Sequence, residues 1–153
     1  MRWIAVFALV LSGCGDPPPT TVSIHVVDAT EAETAAIFAG STVWESCLFE
    51  ILPPGDDSGG VFVHVSVSVV LDGAAGRADI HTSSIWLNRA FSDYPDYFGA
   101  VGAHELGHVL LVSKAHLSPR VGLMSSPHHT PTLTDDDQAL ACREAGRCCK
   151  ENL

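Results

Sequence analysis

His104-Glu105-Leu106-Gly107-His108 is the stretch that decides how this chain is read. On a helix, residues four apart lie about 40° apart around the axis and roughly 6 Å apart along it. Both imidazoles therefore face the same side and can reach one cation together. Glu105 follows the first of them, near enough to hold a water beside that cation. Neutral nitrogen donors, an open coordination position and a carboxylate that takes a proton from water are the requirements of metal-assisted hydrolysis. The competing reading is an amphipathic helix with two solvated histidines. Three neighbouring features weigh against it. Tyr97 to Val112 contains no proline, and Phe98, Val101, Leu106, Val109 and Leu110 suit a half-buried helix. Pro95-Asp96 supplies a helix start just ahead. The third feature lies downstream, where a further ligand has to be found.

On these residues the chain resembles the metzincin zinc metallopeptidases, in the form of a matrixin-like minimal catalytic domain. Their signature is H-E-x-x-H-x-x-G-x-x-H followed by a methionine turn. His104, Glu105 and His108 match the first half. Leu111 stands where the family has glycine, and Lys114 stands at the third-ligand position. Lysine is a poor zinc ligand because it must lose a proton near neutral pH. His116, two residues later, is the expected third ligand, with His128 and His129 as alternatives. A straight helix would carry His116 about 12 Å beyond His108, so the chain must turn near Val112 to Lys114. Leu111 makes that turn harder, since a left-handed residue favours glycine. The resemblance also makes Met124, inside Gly122-Leu123-Met124-Ser125-Ser126-Pro127, the methionine turn, a soft apolar floor beneath the imidazoles. Thr134 then caps a closing helix with Asp135, Asp136 and Asp137 in its first turn. One of those aspartates, or Glu144, as a metal carboxylate is the rival reading.

Upstream, Thr21 to Val27 alternates and is β-branched, a first strand. Thr30-x-x-Glu33 is a capping box opening a helix with Ala36, Ile37, Gly40, Val43, Trp44 and Cys47 on its apolar face. Pro53 to Gly60 reads as a loop. Val61, Val63, Val65, Val67 and Val69 form one face of a long strand, with His64, Ser66 and Ser68 on the other. Asp72 to Gly76 turns the chain, and Asp79 to Asn88 reads as one further strand leading to the active helix. The expected class is α+β, a twisted mixed sheet with a zinc-binding helix, a methionine turn and a C-terminal helix. In the family the strand before the zinc helix is a sheet edge to which an extended peptide adds. Ser84, Ile85 and Trp86 are the candidates for that contact, with core packing as the other role for Trp86. His64 and His81 read as surface or strand-face residues.

Arg2 followed by the apolar run Trp3 to Leu11 is too short to span a bilayer and reads as a signal sequence. Leu11-Ser12-Gly13-Cys14 resembles a bacterial lipobox, which implies cleavage before Cys14 and acylation of that cysteine. The expected division is a leader at 1–13, an acylated cysteine and proline-rich tether at 14–21, and one catalytic domain at 22–153. Gly15 after Cys14 gives no inner-membrane retention signal, so the outer membrane or cell surface is the expected address. Cys47, Cys142, Cys148 and Cys149 in an exported domain point to two disulfides, with the connectivity open. The net charge of −10 excludes a basic face for nucleic acid.

The expected activity is that of a zinc-dependent endopeptidase, monomeric and held to the membrane by lipid. Its parts are Zn²⁺ on His104, His108 and His116, Glu105 as the general base, and a peptide or protein as substrate. A catalytically inactive metzincin-like lipoprotein acting in binding is the alternative, supported by Leu111 and Lys114. A closed, purely structural zinc site is a third.

Overall fold

The computed structural model describes residues 19–45, 49–52, 60–66, 73–114, 116, 122–125 and 134–145. In chain order they form β1 (Thr20–Val27), α1 (Glu31–Ser41), β2 (Phe49–Leu52), β3 (Gly60–Ser66), β4 (Gly76–Asp79), β5 (Ser84–Asn88), α2 (Pro95–Leu110) and α3 (Asp135–Ala145). The five strands make one sheet in the order β2-β1-β3-β5-β4. Every neighbouring pair is parallel except β4 with β5. The class is therefore α+β with a mixed sheet, as the residue pattern implied.

The alternation in β3 does what its spacing dictates. Val61, Val63 and Val65 are buried and join Val22, Ile24, Ile85 and Leu87 in the core. α2 packs against α1, β4 and β5 and completes that core with Phe98, Val101 and Leu106. On the opposite sheet face His25 stacks on Phe62 with 5.1 Å between ring centroids, and His64 stacks on Trp86 at 5.6 Å. His64 is thus a strand-face residue. Val67, Ser68 and Val69 lie outside the described residues.

Three departures from the sequence reading have plain causes. β2 went unread because four residues, Phe49 to Leu52, are too short for a periodic signal. Asp79 to Asn88 is not one strand. The chain reverses over 80–83, where Ser83 takes φ 50°, and β4 and β5 pair as an antiparallel hairpin. β1 begins at Thr20, one residue ahead of the expected strand start, because the extended β-branched pattern already includes that threonine. The leader, Cys14, Cys47, Cys148 and Cys149 lie outside the described residues. Cys142, on α3, is disulfide-bonded.

Pro95 occupies the first turn of α2, where its missing N–H costs nothing. The helix ends through Leu111, which stays right-handed, and the left-handed residue is the β-branched Val112 at φ 48°. Such a residue is strained by roughly 1–3 kcal/mol. The turn is held by Ser113 N–H donating to His108 O at 3.1 Å. The reversal demanded by the histidine spacing therefore occurs one residue after the family's glycine position.

At the other end of the domain the capping box forms as read. Glu33 N–H donates to Thr30 Oγ1 at 3.2 Å, and Thr30 N–H donates to Glu33 Oε2 at 2.7 Å. The Glu33 carboxylate also receives Arg89 Nε at 2.8 Å, joining the start of α1 to the segment after β5. Arg89 reaches the Asp28 carbonyl as well. Burial pushes the Glu33 carboxyl up, but the bonds from Arg89 and Thr30 outweigh it and hold the pKa below the ordinary value. A depressed carboxylate pKa contributes stability above its unfolded value and loses it as pH falls through the folded one. Arg89→Met should cost about 1–3 kcal/mol at neutral pH, because a buried carboxylate loses its cation. In urea titrations that gap should narrow as the pH is lowered below about 4. A gap independent of pH would show that Arg89 acts by packing alone.

Candidate functional site

The buried face of α2 brings His104 and His108 together, and the turn at Val112 brings His116 back over them. Their Nε2 atoms stand 3.1 Å apart between His104 and His108, and 3.2 Å from each of these to His116. Among the described residues this trio is the one group of donor side chains spaced to hold a metal ion. The donor chemistry fits a cation closely. His104 Nδ1 lies 2.7 Å from Leu123 O and His108 Nδ1 lies 2.7 Å from Ser113 O. A carbonyl only accepts, so each Nδ1 carries the proton and each Nε2 presents a lone pair. Lone pairs at such distances repel one another, and a shared cation turns that repulsion into coordination. Donors about 2.0–2.1 Å from a tetrahedral zinc stand roughly 3.3 Å apart, close to the spacing seen.

The floor of the site comes from the Gly122 to Ser125 turn. Met124 is fully buried, and a methyl group placed on Gly107 would lie 2.5 Å from its Sδ and 2.5 Å from Trp44 Cζ2. Only glycine lets the helix between the two ligands settle onto Met124 and Trp44. Trp44 completes the fit by donating its Nε1–H to Ala103 O at 2.7 Å.

A single carboxylate fixes this turn. Asp137 on α3 is 0% exposed, with Oδ1 accepting Met124 N–H at 2.8 Å and Oδ2 accepting Leu123 N–H at 2.8 Å. Oδ2 also accepts Thr134 N–H at 2.8 Å and the Thr134 hydroxyl at 2.7 Å. The peptide that Asp137 grips is the one whose Leu123 carbonyl receives the His104 Nδ1–H. Helix cap, turn and ligand orientation thus form one chain of bonds. Sequence reasoning assigned the three aspartates to capping, with a metal carboxylate as the rival role; which of them turns inward has no local signal. None of them stands among the metal donors.

Glu105 lies on the β4 side. It is 8% exposed, and a methyl group on Gly76 would come within 2.9 Å of its Cγ and 3.1 Å of its Oε1. Burial raises its pKa to about 7, and a hydrogen bond from the Ala78 N–H works in the opposite direction. That donor faces outward for a geometric reason. Asn88 N–H donates to Ala75 O at 2.9 Å, and the alternation of an antiparallel ladder then points Gly76 and Ala78 away from β5. Among the described residues the free edge beside the carboxylate is therefore β4.

This corrects the expected peptide contact. β5 is hydrogen-bonded on both sides, between β3 and β4, so Ser84, Ile85 and Trp86 offer no open edge. Ile85 is fully buried, and Trp86 faces the opposite side of the sheet against His64. His128 and His129 lie outside the described residues.

No family model matches this chain, and no curated protein matches it in sequence. Solved structures do match in fold. The archaemetzincin AmzA from Archaeoglobus fulgidus, solved in complex with malonate, aligns over 79% of this chain and 99% of its own, with a TM-score of 0.52 and 14% identity. A zinc-dependent peptidase from Methanocorpusculum labreanum aligns over 79% of this chain and 98% of its own, with a TM-score of 0.52 and 10% identity. The three-histidine cluster is thus set in a fold shared with proteins described as an archaemetzincin and a zinc-dependent peptidase.

Proposed function

We propose that this chain is a zinc-dependent metalloendopeptidase with a compact, matrixin-like catalytic domain, anchored by lipid in a bacterial envelope. The observation that carries the activity is the convergence of three imidazole Nε2 atoms at 3.1–3.2 Å, beside a buried carboxylate on a free strand edge. The likeness in fold to a zinc-dependent peptidase supports it. His104, His108 and His116 would hold the ion. Zinc bound there supplies a Lewis acid for a peptide carbonyl and brings the pKa of water towards ~7. Glu105 takes the proton of the attacking water and delivers it to the departing amine nitrogen. Such a proton transfer is worth roughly 10²–10⁴ in rate. The outward N–H and C=O of Gly76 and the outward C=O of Ala78 receive the substrate as an added strand, which aligns the scissile bond next to Glu105. Met124 and Asp137 keep His104 in its donor tautomer and orientation.

The address rests on the sequence. The short apolar run Trp3 to Leu11 ahead of Leu11-Ser12-Gly13-Cys14 supports a leader at 1–13 and acylation at Cys14. The proline-rich stretch Pro17-Pro18-Pro19 is a stiff spacer that lifts the domain off the bilayer.

Three measurements test these roles. Glu105→Ala should keep stoichiometric zinc while kcat/KM on unstructured peptides falls about 10²–10⁴-fold; full activity in that variant would remove Glu105 from the reaction. Zinc-loaded wild type that cleaves no peptide would leave a binding protein with a metzincin-like shell. Asp137→Ala should weaken zinc about 10–100-fold in chelator competition, because the carbonyl that orients His104 loses its anchor. Unchanged affinity would confine Asp137 to capping α3. Cys14→Ser, expressed with its leader in a bacterium, should move the protein from the membrane to the soluble fraction and abolish labelling by a fatty-acid probe. Membrane retention in that variant would refute the anchor.

A further inference from the structure

Lys114, the residue that departs most clearly from the metal-ligand pattern, lines a cavity of about 340 Å³ together with Arg77, Ala78, Asp79, His81 and Trp86. This cavity adjoins the site described above through Ala78 and Lys114. Ala78 gives its N–H to Glu105, and Lys114 follows the Ser113 whose carbonyl orients His108. The chain carries 8 basic against 18 acidic residues, yet two of those basic residues converge here. Among the described residues neither Lys114 nor Arg77 takes part in an ion pair; those found join Arg89 to Glu33 and Arg143 to Glu144. Asp79 is the one fixed anion of the lining, and its Oδ1 is engaged by the His81 N–H at 2.9 Å, where it holds the hairpin turn. Among the described residues, two cations outside any ion pair against one engaged carboxylate make a cationic pocket, walled on one side by the Trp86 ring.

We propose that this cavity is a substrate subsite for an acidic side chain, with Lys114 and Arg77 as its specificity-determining residues. The assignment rests on the peptidase reading, and for a peptide added antiparallel to β4 it also gives the side of the scissile bond. β4 runs from Gly76 to Asp79, and Glu105 stands beside Gly76 and Ala78. A peptide antiparallel to β4 passes the hairpin turn first and Gly76 last. The residues over Asp79, His81 and Lys114 are then those N-terminal to the cleaved bond. Glutamate or aspartate there meets the Lys114 ammonium and the Arg77 guanidinium, whereas lysine meets like charge.

Matched peptides carrying Glu, Gln or Lys at each of the three positions before the cleaved bond test this. The first readout is cleavage by the zinc-loaded enzyme. The second is binding of the same fluorescent peptides to zinc-loaded Glu105→Ala, which does not depend on turnover. At one position Glu should exceed Gln by about fivefold in both readouts, with Lys below Gln, as expected of a partly exposed ion pair. The Glu-to-Gln ratio should fall to about one in Lys114→Gln and invert in Lys114→Glu, with zinc content and circular dichroism confirming that each variant folds. Cleavage with no Glu preference at any of these positions overturns the subsite and leaves the peptidase. A preference that survives in Lys114→Glu overturns the role of Lys114. Preferential binding of acidic peptides without cleavage by wild type overturns the peptidase and leaves the subsite standing.

Discussion

Three imidazole Nε2 atoms held within 3.2 Å of one another are the constraint around which this domain is built. Left alone they repel, and no proton lies between His104 and His108 because both Nδ1 atoms already donate to carbonyls. The protein holds that arrangement by making the supports stiffer than the repulsion. α2 is buried from Phe98 to Val109, so the helix can neither rotate nor bend away. The two carbonyls that hold the rings sit in tight turns on either side. A site assembled this way favours the cation-bound state, since binding N but not U adds the ligand's free energy to folding.

The turn after α2 shows what the sequence pattern conceals. Position 111 carries leucine instead of glycine, and the left-handed conformation moves to Val112, a poor residue for it. Moving the reversal one residue later, and the third histidine two residues later, leaves the ring position intact. What changes is the loop between them, which now carries Lys114 outward to the β4–β5 turn. The backbone strain at Val112 and the displaced lysine are thus two consequences of one change in spacing.

Legibility followed the range of the interaction. Helical spacing alone placed His104, Glu105 and His108, and the capping box of α1 was readable because all its partners lie within four residues. The burial of Val61, Val63 and Val65 followed from alternation. His116 was recoverable only by rejecting lysine as a ligand, which is chemistry and not periodicity. The hairpin over 80–83 gave no warning: Ile80-His81-Thr82-Ser83 holds neither glycine nor proline, and its bend is held by the Asp79 carboxylate. Because that turn was missed, the free edge was placed on the wrong strand, and with it the peptide contact. Asp137 was illegible for a different reason. Three consecutive aspartates are equivalent as helix-capping charge, and only the tertiary position of the Met124 turn selects one of them.

Two buried carboxylates flank the centre and are handled in opposite ways. Asp137 has three backbone N–H groups and a hydroxyl, enough donors to keep a charge stable without solvent. Glu105 has the Ala78 N–H to oppose its desolvation, which leaves it near neutrality at about 7. The first is a structural carboxylate with both oxygens engaged. The second is left short of donors, and a carboxylate short of donors takes up a proton readily. A cation held among the three imidazoles would draw that proton affinity down again. Adding donors to Glu105, as at Asp137, would stabilise its charge and blunt its basicity. The fold spends its hydrogen bonds on the carboxylate that fixes the Met124 turn and leaves Glu105, beside the imidazoles, with a raised pKa.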